Sequence, residues 1–149
     1  VARFIPTPMF PVCHPSLCAG EHRLASPHDL QSLIVMRHIT RNFWPLWLEA
    51  AGAPDLQLHY GMEYSGAATA IEAAAQNQGV CLTSLPLVEG DIRQGRLARP
   101  FETLLWTDYS FYFVCHASRG RRPAVQHFRR WLEELGTGSG EPPHRLPDA

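Results

Sequence analysis

No apolar run in this chain approaches the ~20 residues that cross a bilayer as a helix. The first ten residues, Val1 to Phe10, carry neither the basic start nor the long apolar core of a secretory leader. Both absences point to the cytoplasm and away from a membrane partner. Basic excess is missing too: 13 Lys+Arg stand against 14 Asp+Glu, a formal net charge of −1. A domain that grips DNA unaided draws much of its affinity from counterion release, which needs surplus positive charge. Direct DNA binding by these residues is therefore not expected. Cysteine is sparse, at positions 13, 18, 81 and 115. Cys81 and Cys115 sit in apolar, strand-like runs and read as packed free thiols, not as a disulfide framework.

Catalytic signatures are also lacking. There is no G-x-S-x-G elbow, P-loop, G-x-G-x-x-G or H-E-x-x-H. Ser26, His28 and Asp29 have the residue types of a hydrolase triad, but triad partners converge from separate elements, and these are neighbours. Cys13, His14, Cys18 and His22 are zinc-type donors. Their spacing has no C-x2-C and no second paired half, so no metal is expected, and no cofactor. Asp91–Arg96 and Arg119–Arg122 read as a solvated helix end and a turn. The chain is not expected to be an enzyme.

What is present fits a soluble α/β protein. Apolar residues make up 45% and charged residues 18% of the chain, ordinary values for a globular domain. Its 149 residues suffice for one domain or a piece of a two-lobed one. Pro6, Pro8, Pro11 and Pro15 forbid a helix or central strand over residues 1–18, leaving an edge strand or connector. Ser26-Pro27-His28-Asp29 starts a short helix, and Ser32–Met36 reads as a buried strand. Asn42 caps a helix that carries Phe43, Leu46, Trp47 and Ala50 on one face and stops at Gly52. Leu56–Met62 alternates as a half-exposed strand does.

Ser65 then caps a small-residue helix with Ala67, Ala70, Ile71, Ala74 and Ala75 at helical spacing, ended by Gly79. Val80–Leu82 is a short buried strand, and Pro86 to Gly95 brackets another helix. Leu97–Phe101 is extended. Tyr109–Cys115 is the strongest strand. Pro123 starts the last helix, with Val125, Phe128, Trp131, Leu132 and Leu135 as its buried stripe. Residues 137–149 read as a disordered tail.

One feature of this order bears on ligands. A helix start offers free N–H groups and a favourable dipole, and Ser65-Gly66 allows close approach. Thr83-Ser84 ends a buried strand just before a new helix, where open α/β sheets place their ligands. These four residues are candidate ligand contacts, and a small polar or anionic molecule fits them.

Several stretches together resemble a known family. Pro11–Leu17 with Leu24–Leu30 looks like "PVCSP-L … L-SP-DL" of LysR-type effector-binding domains. Trp44–Gly52 resembles "W--WL-AAG", and Ala70–Leu82 resembles "A--AA--G-GVAL". Pro86-Leu87-Val88 and Gly95–Phe101 resemble "P-LV … G-LV-PF"; Phe111–Val114 and Pro123–Leu132 complete a series over roughly residues 9–136. The similarity is greatest to the subgroup of glycine-cleavage activators and β-lactamase regulators.

The resemblance implies a periplasmic-binding-protein-like (type 2) α/β fold, with one complete lobe plus part of the second. Residues 1–12 would be a connector or edge strand of lobe I, 13–100 lobe II, and 101–136 the C-terminal part of lobe I. It implies a transcription regulator responding to a small-molecule effector bound between lobes. It also implies self-association in the full-length regulator, and DNA contact only through a helix-turn-helix that this sequence does not contain. With a start other than methionine, a fragment is expected. Some members place a ligand-facing tyrosine where Phe111 stands here, so Phe111 is a fifth candidate contact, without the hydroxyl. A solute-binding protein of the same fold is the alternative, and an enzyme on that fold a third.

Overall fold

A computed structural model describes residues 2–21 and 23–136. The expected tail, 137–149, and His22 lie outside the described residues. The described residues form two compact units, one spanning 8–105 and the other made of 2–7 with 106–136.

The larger unit holds a four-stranded sheet ordered β2-β5-β3-β4. Its strands are β2 (Met9–Val12), β3 (Ile34–His38), β4 (His59–Tyr64) and β5 (Val80–Ser84). Strand β3 runs parallel to both β4 and β5, while β2 pairs antiparallel with β5. Pro11 lies in β2. That is an edge strand, where a residue without an N–H is tolerated. Three helices cover the sheet: α1 (Trp44–Ala50), α2 (Ala67–Ala75) and α3 (Leu85–Arg93).

Side chains alternate along each strand, so the sheet builds a core on both faces. Val35, Val80 and Cys13 pack with Trp44, Trp47 and Leu48 on one side. Phe10, Val12, Met36 and Cys81 pack with Ile71, Ala74 and Val88 on the other. The near-continuous apolar reading of β5 follows from this burial on both faces.

Local signals held in part. Pro27–Ser32 is a 3-10 helix, and β3 begins at Ile34, two residues after the expected strand start. The Asp29 carboxylate accepts from the Ser26 and Ala25 backbone N–H groups at 2.7 and 2.9 Å. Those donors hold its carboxyl below the usual range, those of Ser26 and Ala25 contributing most. A depressed carboxyl favours the fold above its unfolded pKa, and the gain disappears as pH falls through the folded value. Asp29→Ala should lower stability at neutral pH by ~1 kcal/mol. Urea denaturation at pH 7 and again near pH 2 checks this, since the difference between parent and variant should vanish in acid.

Helix α1 buries Trp44, Trp47 and Leu48, not Leu46 or Ala50, and β4 runs from His59, not Leu56. In α2, Ile71 and Ala74 are buried as the spacing predicts, Ala70 is half-buried and Ala67 is exposed. Gly66, not Ser65, occupies the capping position, and no side chain caps the helix.

The smaller unit pairs β1 (Ala2–Pro6) antiparallel with β6 (Ser110–Phe113) and adds α4 (Pro123–Gly136). Phe128 contacts Phe113 and Trp131, with ring centroids 5.7 and 5.6 Å away. The expected buried stripe of α4 is corrected here, because Phe128 and Trp131 remain 49% and 52% exposed. A two-stranded ribbon and one helix offer too little surface to enclose them. Leu135, from the same stripe, has a side chain outside the described ones. Cys115 is likewise exposed, whereas Cys81 is buried. It lies beyond the end of β6, past the reach of the ribbon.

Candidate ligand-binding site

The parallel strands of the larger unit end at one edge. Register pairs His38 with Tyr64 and Met36 with Cys81. Two residues on, His38 is level with Thr83, so Tyr64, His38 and Thr83 form a row across three strands. Adjacent strands lie ~4.8 Å apart, so the outer two are ~10 Å apart. Ser65-Gly66 leaves the row into α2, and Ser84 leaves it into α3. Two helix starts, each with backbone N–H groups lacking intrahelical acceptors, thus open at the same edge.

Thr83 is 3% and Ser84 6% exposed, the two buried polar residues of the described core. Thr83 Oγ1 is buried and has no hydrogen-bond partner among the described residues. A buried hydroxyl normally has one, because desolvation without compensation is costly. Ser65 is exposed and Gly66 half-buried, and an added Cβ at Gly66 would meet nothing within 4 Å. Phe111 belongs to β6 of the smaller unit and is 38% exposed. The larger unit therefore brings Ser65, Gly66, Thr83 and Ser84 to one edge, and Phe111 is described only within its own unit.

Sequence reasoning missed His38. Its Nδ1 accepts the Thr40 backbone N–H at 3.2 Å, and its Nε2 is 2.8 Å from the Ser65 carbonyl oxygen. With Nδ1 accepting, Nε2 carries the proton and donates to Ser65. His38 thus fixes the chain where β4 turns into α2. Only the pairing of β3 with β4 reveals this, since the two residues are 27 positions apart.

Beside the row is a cavity of about 50 Å³, lined by Arg37, His38, Arg41, Asn42, Tyr64 and Ala67 among others. It is too small for a whole ligand, since binding pockets run to ~300–1,000 Å³, and its volume matches no more than a small group of one. Arg37 also pairs with Glu63 and lies over the Tyr60 ring, 5.1 Å from its centroid. A second hollow of about 280 Å³, near His28, Gly52, Asp55 and Gln57, precedes β4 at the opposite edge. It is larger, yet it is open and has no cationic side chain. Among the described residues, which do not include His22, no three His, Cys, Asp or Glu side chains could hold an ion together. No helix of the described residues is long and apolar enough to cross a membrane.

Comparison with known proteins identifies the family. The family described as the LysR substrate binding domain matches residues 1–136. The glycine cleavage system transcriptional activator of Escherichia coli (strain K12) is 32% identical over 124 residues, covering 83% of this chain and 41% of the relative. The HTH-type transcriptional activator AmpR of Rhodobacter capsulatus is 34% identical over 125 residues, covering 84% and 42%. The chain thus spans about two-fifths of the length of these curated relatives. The effector domain of AmpR from Pseudomonas aeruginosa superposes with a TM-score of 0.75 at 29% identity, over 92% of this chain and 65% of that one. The effector-binding domain of AmpR from Citrobacter freundii, at 24% identity, shares the fold with a TM-score of 0.76 over 93% of this chain and 68% of that one. These relatives are transcription regulators, not enzymes, and their effector domains have the type 2 periplasmic-binding-protein-like fold expected from the sequence. This chain belongs to the LysR substrate-binding domain family.

Proposed function

We propose that this chain senses a small anionic or polar effector for a LysR-type regulator, and that the effector's head group sits at the edge formed by Ser65, Gly66, Thr83 and Ser84. The observation that carries this is the buried Thr83 hydroxyl without a partner, at a strand end between two helix starts. The cationic Arg37 and Arg41 beside the adjoining cavity favour an anion. In this reading the larger unit, residues 8–105, is lobe II, which widens the expected 13–100 by the strand at Met9–Val12 and by residues 101–105, and the smaller unit is part of lobe I. The effector acts by population shift, binding one arrangement of the regulator better than another. DNA contacts and self-association belong to the whole regulator, which works in the cytoplasm.

The test is a calorimetric titration of the chain with a panel of small carboxylates, amino acids and phosphates. At least one should bind. Thr83→Val should weaken that binding about tenfold, the ~1.4 kcal/mol expected when a charged hydrogen bond is lost. Ser65→Ala should weaken it less, because the Ser65 backbone carbonyl, and not its hydroxyl, is held by His38. If both variants bind as the parent does, the head group lies elsewhere.

A further inference from the structure

Cys13 and Cys18 stand in a relation that their sequence spacing does not show. Their sulfurs are 3.6 Å apart. Cys13 closes β2 and is fully buried, bridged through its backbone to Ala98 at 3.0 and 2.9 Å. Cys18 ends the 3-10 turn Pro15–Cys18 and is half-buried. The next residues, Ala19, Gly20 and Glu21, are exposed, and Gly20 has φ 81°. The turn carrying Cys18 therefore has solvent on its far side. Bringing the sulfurs to the ~2.05 Å of a disulfide requires a shift of ~1.5 Å, which a surface turn absorbs more readily than a core strand.

We propose that Cys13 and Cys18 form a reversible disulfide when the protein meets hydrogen peroxide, pinning the Pro15–Cys18 turn to the end of β2. The more accessible Cys18 sulfur attacks one peroxide oxygen. The O–O bond breaks, hydroxide takes up a proton and leaves as water, and Cys18 becomes a sulfenic acid. The Cys13 sulfur then attacks the Cys18 sulfur, the S–OH bond breaks, and the departing hydroxide leaves as water with the Cys13 proton. Two thiols and one peroxide give one disulfide and two waters. The division of roles follows from position. Cys13 is fully buried, out of reach of a dissolved oxidant, so half-buried Cys18 reacts first, and Cys13, 3.6 Å away, is placed to resolve the activated Cys18 sulfur. Cys81 is a natural control, since burial pushes its thiol up to about 12 and, among the described residues, its sulfur shares no hydrogen bond with another sulfur. Exposed Cys115 is the control for plain accessibility.

Trypsin cuts after Arg3 and Arg23, so one peptide, residues 4–23, holds both cysteines and no other. The full chain is treated with hydrogen peroxide, denatured, labelled with a maleimide and digested. The expected result is a loss of both labels from that peptide, which becomes two hydrogens lighter than its dithiol form. Dithiothreitol before labelling restores both labels. Cys18→Ser should leave Cys13 labelled, and Cys13→Ser should leave Cys18 as a sulfenic acid trapped by dimedone. Cys115→Ser should change nothing in the peptide. The proposal is overturned if peptide 4–23 keeps both labels while Cys115 is oxidised, if Cys18 goes on to sulfinic acid in the parent, or if the disulfide found joins Cys115 of two chains.

Discussion

Trp47→Ala should cost the larger unit about 3–5 kcal/mol, the range for removing a buried tryptophan from a packed core. Trp47 is fully buried, with its ring 5.8 Å from that of Trp44 and 5.6 Å from that of Phe101. Its Nε1–H donates to the Thr103 carbonyl at 3.2 Å, an acceptor that the variant leaves without this donor. Domains are stable by only ~5–15 kcal/mol, so the variant should lose a large share of its stability. Trp131→Ala makes the contrast. That side chain is 52% exposed, and its loss should cost under ~1 kcal/mol. Urea denaturation of both variants decides the matter: equal losses would mean that the core has been assigned to the wrong tryptophan.

Gly79→Ala should be as damaging, for a backbone reason. Gly79 has φ 150°, where side chains are strained, and an added Cβ would be 2.5 Å from the Ile34 carbonyl oxygen. The neighbour is backbone of the adjacent strand region, so it cannot rotate away. The loss should reach about 3 kcal/mol or more. Gly52 has φ 75° with nothing within 4 Å of an added Cβ, so Gly52→Ala carries only the ~1–2 kcal/mol of a left-handed residue. Thermal denaturation in which the two variants lose the same stability would contradict the close approach at Gly79.

How much of this was legible in the sequence depends on the range of the interaction. Helix starts with local partners were readable. Ser26-Pro27-His28-Asp29 showed its cap because acceptor and donors are three and four residues apart. The edge placement of β2 followed from Pro11. The alternation of α/β elements and the family series were readable too. Features created by strand pairing were not. The burial of β3 and β5 on both faces, and the His38–Ser65 bond, depend on partners from 27 to 45 positions away. Helix faces were half readable: Trp47 was placed correctly, but Leu46 was put inside and Leu48 was missed, since α1 is only seven residues long and its stripe is ambiguous. Phe128 and Trp131 were read as buried because periodicity reports which side of a helix is apolar, not what covers it. Of the candidate site, the chain positions were visible, while the orphaned Thr83 hydroxyl arises only from packing in the folded chain.

An effector held at the ends of the parallel strands perturbs the amides around it, so amide chemical shifts of the chain are followed while the tightest-binding member of the ligand panel is added. That placement gives the largest changes at His38, at Ser65 to Ala67 and at Thr83 to Leu85. Changes centred instead on His28 and residues 52–57, at the hollow on the opposite edge, would contradict it.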